Sequence, residues 1–484
     1  QNQWTWQHYN ATVGYDGTFG RHVVSASAGI LYNIYKTDFS QNGAAGKMVE
    51  YRHMTVNGAV NYAYDDRYVA TFSFAADGSD NYRPGNRWGF YPSLGLGWIV
   101  SRERFLRDSR MVDLLKLRAS VGKNGWDPMG EMRYLWEGYY TGRGGLNTGN
   151  SEHTWHGGTA LSYLPNPDVF AEKSLKYDAG IDLRLWNRLS LNVDLFLEKR
   201  SGIVTQDWMI PGASGVDNPP YRNIGRMTNK GFEVQLSWAD RIGDFNYALT
   251  GMASYNSNKV DYMAEVVTVP TAARTGRRLD ALFGYVADGF YDWDDFDVGG
   301  ELREGLPKPT FGAVQPGDIK YKNLNGDTVI DENDQTAIGD SYLPKLQYSF
   351  SLAASYKGFD LFALFQGAAG RDVNLLDAPL QNVAFRDNGN VYGIAEGRWA
   401  YYPEQGIDTR ATATYPRLSL QDNSNNYRNS TLWKRSGDFL KLRNVELGYT
   451  FAQPSLSKAG ISKIRIYLSG VNLLTVSRLM RDYD

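Results

Sequence analysis

Asn323-x-Asn325-x-Asp327-x-Val329-x-Asp331-x-x-Asp334 puts oxygen-bearing residues at positions 1, 3, 5, 7, 9 and 12 of a calcium-loop pattern, with Val329 offering its backbone carbonyl. Calcium is a hard cation that takes about six to eight oxygens, and this spacing turns them toward one point. The pattern departs from a strong site in three places. Position 1 is Asn323 where a carboxylate is usual. Position 6 is Thr328 where glycine would permit the sharp turn, and position 12 is Asp334, shorter than a bidentate glutamate. Two readings stay open: a structural calcium site, or an Asx-rich turn whose side chains cap their own backbone.

Other clusters carry less chemistry. Asp292, Asp294, Asp295 and Asp297 surround Trp293 and Phe296, and an acidic run of this kind is more often a solvated loop than a cation or sugar site. His153 and His156 would need two further zinc ligands, and no nearby Cys or His supplies them. There is no G-x-S-x-G elbow, no phosphate-binding glycine loop and no recognisable catalytic carboxylate pair, so an enzyme is not expected. With 51 basic against 53 acidic residues, the chain lacks the electrostatic footprint of a nucleic-acid binder.

The elements that position these residues are strands. About 14 segments of roughly 10 to 15 residues alternate in polarity with period two, the signature of an outer-membrane β-barrel. Leu189, Leu191, Val193, Leu195 and Leu197 share one face while Ser190, Asn192, Asp194 and Glu198 share the other. Phe232, Val234, Leu236 and Trp238 alternate with Glu233, Gln235 and Ser237, and Tyr348, Phe350, Leu352 and Ala354 with Gln347, Ser349, Ser351 and Ser355. Any one such segment also suits a soluble sandwich, but the connections separate the two. Short links at Asp65-Asp66, Trp186-Asn187, Asp240 to Asp244 and Tyr356 to Phe359, with longer ones at Ser101 to Asp113 and Ala452 to Ser462, alternate with long ones. The longest are 125–173, 258–340 and 371–437. A barrel keeps short turns in the periplasm and sends long loops to the cell exterior.

Composition agrees. No run of about 20 apolar residues exists, which excludes helical spans. The 42% hydrophobic content and mean hydropathy of -0.46 are enough for strands of which only alternate residues meet lipid. The 33 Tyr and 13 Trp can furnish interfacial girdles, for example Trp88, Phe90, Tyr91 and Trp98. The absence of Cys suits passage through an oxidising periplasm without disulfides. Nothing in Gln1 to Asn10 has the charged start and apolar core of a signal peptide. The strand near Tyr9 to Asp16 runs inward and that near Ile464 to Leu474 outward, so the expectation is a partial barrel, residues 1–484 being the later part of a larger one.

Several blocks carry a family resemblance. Arg87-Trp88-Gly89-Phe90-Tyr91-Pro92-Ser93-Leu94-Gly95-Leu96-Gly97-Trp98, then Glu103-Arg104-Phe105-Leu106 and Leu115-Lys116-Leu117-Arg118-Ala119-Ser120-Val121-Gly122, resemble the SusC/RagA family of TonB-dependent outer-membrane importers of Bacteroidetes-type bacteria. Ile224 to Glu233, Gly317 to Asp327 and Phe439 to Thr450 match it in the same order. The resemblance implies an all-β, antiparallel transmembrane barrel of about 22 strands with an N-terminal plug, of which the 14 would be roughly the eighth to the twenty-first. The plug, the TonB-contacting segment and the last strand are then expected outside this sequence.

The resemblance also implies a mechanism and partners. A SusD-like surface lipoprotein closes over the mouth, solute is held between plug and wall, and TonB pulls the plug to release it inward. Transporter and lipoprotein pairs would dimerise, and the barrel would sit in membrane lipid of a Gram-negative outer membrane. Oligosaccharides are the favoured cargo, with peptides the alternative. The wall residues expected to face it include Asn192, Asp194, Glu233, Gln235, Ser349, Ser351, Asn444 and Glu446. The rival classes are a passive porin, told apart by steady conductance, and a secreted β-rich calcium-binding adhesin, told apart by solubility without detergent.

Overall fold

A computed structural model describes residues 4–37, 49–127, 134–138, 140–148, 154–161, 163–211, 213, 218–267, 269–378, 382–386, 389–420, 422–451 and 460–481. One sheet holds 14 strands in sequence order, an antiparallel meander. They are β1 (Trp4–Phe19), β2 (His22–Thr37), β3 (Val49–Tyr64), β4 (Tyr68–Ser79), β5 (Trp88–Ile99), β6 (Val112–Trp126), β7 (Glu172–Leu185) and β8 (Leu189–Gln206), followed by β9 (Tyr221–Ile242), β10 (Phe245–Tyr262), β11 (Leu346–Tyr356), β12 (Phe359–Ala369), β13 (Phe439–Phe451) and β14 (Ile464–Ser477).

The short links are tight hairpin turns. Asp65 and Asp66, and likewise Trp186 and Asn187, take φ of 52–53°, the paired left-handed conformation whose twist matches that of the flanking strands. Aspartate and asparagine tolerate it, whereas Trp186 is a bulky residue held there by the strands on either side.

The chain divides into two compact units, Gln1–Val234 with Asn258–Val266, and Gln235–Ser257 with Val267–Asp484. In the first, register aligns Val60, Phe72, Leu94, Val121 and Tyr177 across β3 to β7. Each is more than a third exposed. A row of exposed apolar side chains on one face of a sheet suits contact with lipid rather than water. In the second unit Phe350 of β11 faces Phe365 of β12 with rings stacked at 4.4 Å, while Ser349 faces Gln366 and Ser355 faces Asp360 on the other side. The period-two reading of these strands therefore holds residue by residue.

The long connections differ from the sequence expectation in extent and content. β10 runs on to Tyr262 and β11 starts only at Leu346, so that connection spans 263–345. β6 extends to Trp126 and β7 starts at Glu172. These connections also hold structure. Residues 267–345 and 370–438 of the second unit pair Ala287–Phe290 with Ile319–Tyr321 and Asp372–Asn374 with Lys434–Ser436, among other short ladders. They close on a core of Tyr285, Ile319, Tyr321, Ile330, Leu375 and Trp433, all nearly inaccessible to solvent. Connections this long are stable only when they bury apolar surface of their own.

Candidate functional site

On the polar face of the first unit, Arg118 of β6 stands among three carboxylates. It donates to Asp194 of β8 through Nη2 at 2.5 Å, and its Nη1 and Nε lie 3.4 Å from Asp178 and Asp182 of β7. Lys116 adds a looser contact to Asp182 at 3.9 Å. Gly180 makes room: a Cβ there would lie 2.5 Å from the guanidinium carbon. All five ionic side chains of the cluster remain partly exposed, and with three carboxylates against two cations the wall is acidic and wet. Asp194 was expected on this face from alternation, whereas Arg118 was noted only within a family block. In the second unit the expected wall residue Glu446 shares Arg465 of β14 with Asp360 of β12.

A second polar cluster lies in the long connections of the second unit. Asp318 is fully buried. Its Oδ1 accepts from Arg417 Nε at 2.7 Å and from Asn423 and Asn426 side-chain amides at 2.9 Å each. Its Oδ2 accepts from the Gln315 N–H at 2.8 Å. Asn426 in turn accepts from the Ile319 N–H, and Trp433 donates to the Asn426 carbonyl at 2.7 Å. This knot ties 267–345 to 370–438. Tyr291, beside it, is pushed up to about 12 by burial and by the charges of Asp295 and Asp318. In the first unit a similar knot gathers Tyr51, Ser79, Asn81 and Tyr82 as donors to Asp127, at 2.8, 2.5, 3.0 and 2.8 Å. Burial, and then Asp127, drive the Tyr82 phenol far above its ordinary range.

Asn323, Asn325, Asp327, Val329, Asp331 and Asp334 do fall on one loop, between Ile319–Tyr321 and Thr336–Gly339. The side-chain oxygens face backbone donors. Asn323 accepts from Gly326 N–H at 2.6 Å, Asn325 from Asp327, Asp327 from Val329 and Asp331 from Asn333. Asp334, fully buried, accepts from Leu324 N–H at 2.7 Å and Asp331 N–H at 2.9 Å. The sharp turn falls at Gly326, with φ 79°, two residues before the position where a calcium loop places it. Among the described residues no three His, Cys, Asp or Glu side chains gather as a metal cluster. These contacts suit an Asx-rich turn, and a structural calcium ion held by the same oxygens remains a proposal.

Three carboxylates of the acidic run are engaged locally. Asp292 meets Arg410 at 3.4 Å, Asp295 meets Lys320 at 3.0 Å, and Asp297 accepts from the Gly299 and Glu301 N–H groups. His153 lies outside the described residues. His156 is on a hairpin strand opposite Leu146. What sequence reading missed are the partners of Asp318, for which the asparagine-rich stretch 421–430 was the available signal.

Comparison with known proteins places this geometry. The TonB dependent receptor-like, beta-barrel family model matches residues 1–473. TonB-dependent receptor P3 of Formosa agariphila is 27% identical over 95% of this chain and 47% of its own length. TonB-dependent receptor SusC of Bacteroides thetaiotaomicron is 26% identical over 81% of this chain and 37% of its own. The chain thus spans about half the length, or less, of the curated relatives it matches. Among solved structures, the RagAB peptide transporter aligns with 99% of this chain and 52% of its own, at 21% identity and a TM-score of 0.71, a shared fold.

Proposed function

Since the chain belongs to the TonB dependent receptor-like β-barrel family, we propose that it forms the barrel wall of an outer-membrane active importer of the SusC/RagA type. The family match across residues 1–473 is the observation that carries this reading. The cell is a Bacteroidetes-type Gram-negative bacterium, the source of both curated relatives named above. A SusD-like lipoprotein captures oligosaccharide, or peptide, over the outer ends of the strands, and TonB supplies the energy through a plug.

The two faces support this division of labour. Apolar rows such as Val60, Phe72 and Leu94 meet lipid, and the acidic wall around Arg118 keeps a hydrated path for a polar solute. The long connections of the second unit, stiffened by the Asp318 knot, present a preformed surface to the lipoprotein. This chain contributes position and selectivity; it moves no bonds.

The test is purification of the native protein from outer membranes, followed by solute uptake in cells with and without TonB. Co-purification of a lipoprotein and uptake that stops without TonB are expected. Steady conductance in a bilayer without any energy source would instead indicate a porin. Recovery from the aqueous phase without detergent would indicate an adhesin.

A further inference from the structure

A cavity of about 180 Å³ opens on the polar face of the first unit, at the ends of β6, β7 and β8 that lead into the long connections. Register builds it. Trp126 lies opposite Glu172, Asn124, Ser174 and Arg200 form one row, and Lys176 faces Glu198. All share the face of Arg118 by alternation. Trp126 is 56% exposed, and the Arg200 guanidinium lies over its ring at 5.4 Å.

The charges in this pocket are not equally available. Glu172 is buried and fully used, accepting from Arg200 Nη2 and from the Val204 N–H at 3.0 Å each. That leaves Lys176 and Arg200 as the cations facing the opening and Glu198 as its remaining carboxylate; Lys173 falls on the other face by alternation, its ammonium over the Phe170 ring. Lys176 is half exposed and only 3.9 Å from Glu198, too far for a strong hydrogen bond. Arg200 is held in place by Glu172, its remaining N–H groups oriented by that anchor. The result is a rigid cation beside a flat aromatic ring, with amide and hydroxyl groups around it.

We propose that this pocket binds an anionic sugar residue of the solute, its carboxylate or sulfate on Lys176 and Arg200 and its ring face on Trp126; the proposal rests on the import reading above. The cavity is smaller than the ~300–1,000 Å³ that encloses a whole drug-sized ligand, so it takes one unit of a longer chain. An acidic amino-acid side chain has the charge but neither a ring face for Trp126 nor hydroxyls for Asn124, Ser174 and Glu198.

The experiment uses the full-length transporter with its lipoprotein, in detergent, titrated calorimetrically with uronate-bearing or sulfated oligosaccharides and with neutral ones of equal length. Acidic chains should bind about tenfold tighter at low salt, the worth of one charge-assisted hydrogen bond. K176Q should remove most of that preference, with a far smaller change for neutral chains than for acidic ones. E198Q should increase it, and W126A should weaken both ligands. Equal binding of acidic and neutral chains, or a K176Q variant that keeps the preference, overturns the assignment. So does tighter binding of an acidic peptide. If cells carrying the transporter take up charged and neutral oligosaccharides alike, only the pocket assignment fails; if they take up no oligosaccharide or peptide at all, the import reading fails with it.

Discussion

Arg118 and Asp318 are each the centre of an ion cluster, and their surroundings are opposites. Arg118 sits on an open strand face with three partly exposed carboxylates, an excess of negative charge that water and salt can screen. Asp318 is dry, and one negative charge is matched by one guanidinium, two side-chain amides and a backbone N–H. A charge without water must be satisfied completely by protein, so the buried cluster is committed to structure. The open cluster is free to act on whatever passes.

Breaking the buried member should have the largest effect. Asp318→Ala strands Arg417 and two asparagines, and a loss of about 3–5 kcal/mol is expected. Hydrogen exchange should show it as loss of protection in 267–345 and 370–438 together, with the strands still protected. If the two segments stay protected, the knot is not what joins them.

Alkali probes the same region more gently. The Tyr291 and Tyr427 phenols are each pushed up to about 12, chiefly by burial. A raised folded value means their contribution is intact below pH 10 and is lost as pH rises from 10 toward 12. Each phenol contributes roughly 2–3 kcal/mol at most. Replacing either by Phe should flatten the alkaline limb of the stability curve.

Arg118→Gln should be milder, within about 1 kcal/mol of the parent because its partners are partly exposed. Its effect should instead appear in selectivity, with slower entry of acidic solutes and faster entry of cationic ones. A stability loss as large as that of Asp318→Ala would erase the distinction between the clusters.

The smallest expected signal is from calcium. Calorimetry at millimolar calcium separates the two readings of the loop Asn323 to Asp334: weak stoichiometric uptake is the outcome of the proposed calcium site, and no uptake that of an Asx-rich turn whose carboxylates serve only backbone N–H groups. In the first case Asp327→Asn with Asp331→Asn should abolish the uptake.

Some of these features were legible in the sequence and others were not, for a consistent reason. Leu189 to Leu197, Phe350 and Ser349 declared their faces because a strand's side chains alternate whatever lies beside it. Asp65-Asp66 and Trp186-Asn187 were readable as turns because they interrupt two such patterns. The calcium loop showed the limit: ligand spacing was visible, but whether an oxygen meets a cation or an N–H depends on backbone torsions such as that of Gly326.

What the sequence by itself determined is therefore local and periodic: the strands, their apolar and polar faces, the order of short and long connections, and the family blocks along the chain. Tertiary structure alone decided which distant groups meet. Arg118 finds its carboxylates 60 to 76 residues away through strand register, and Asp318 finds its side-chain donors 99 to 108 residues away through the packing of two connections. Neither separation leaves a repeat in the sequence. A one-residue slip in register would turn Asp194 to the lipid face with no change in composition, and that choice is made by the burial energy of the assembled sheet.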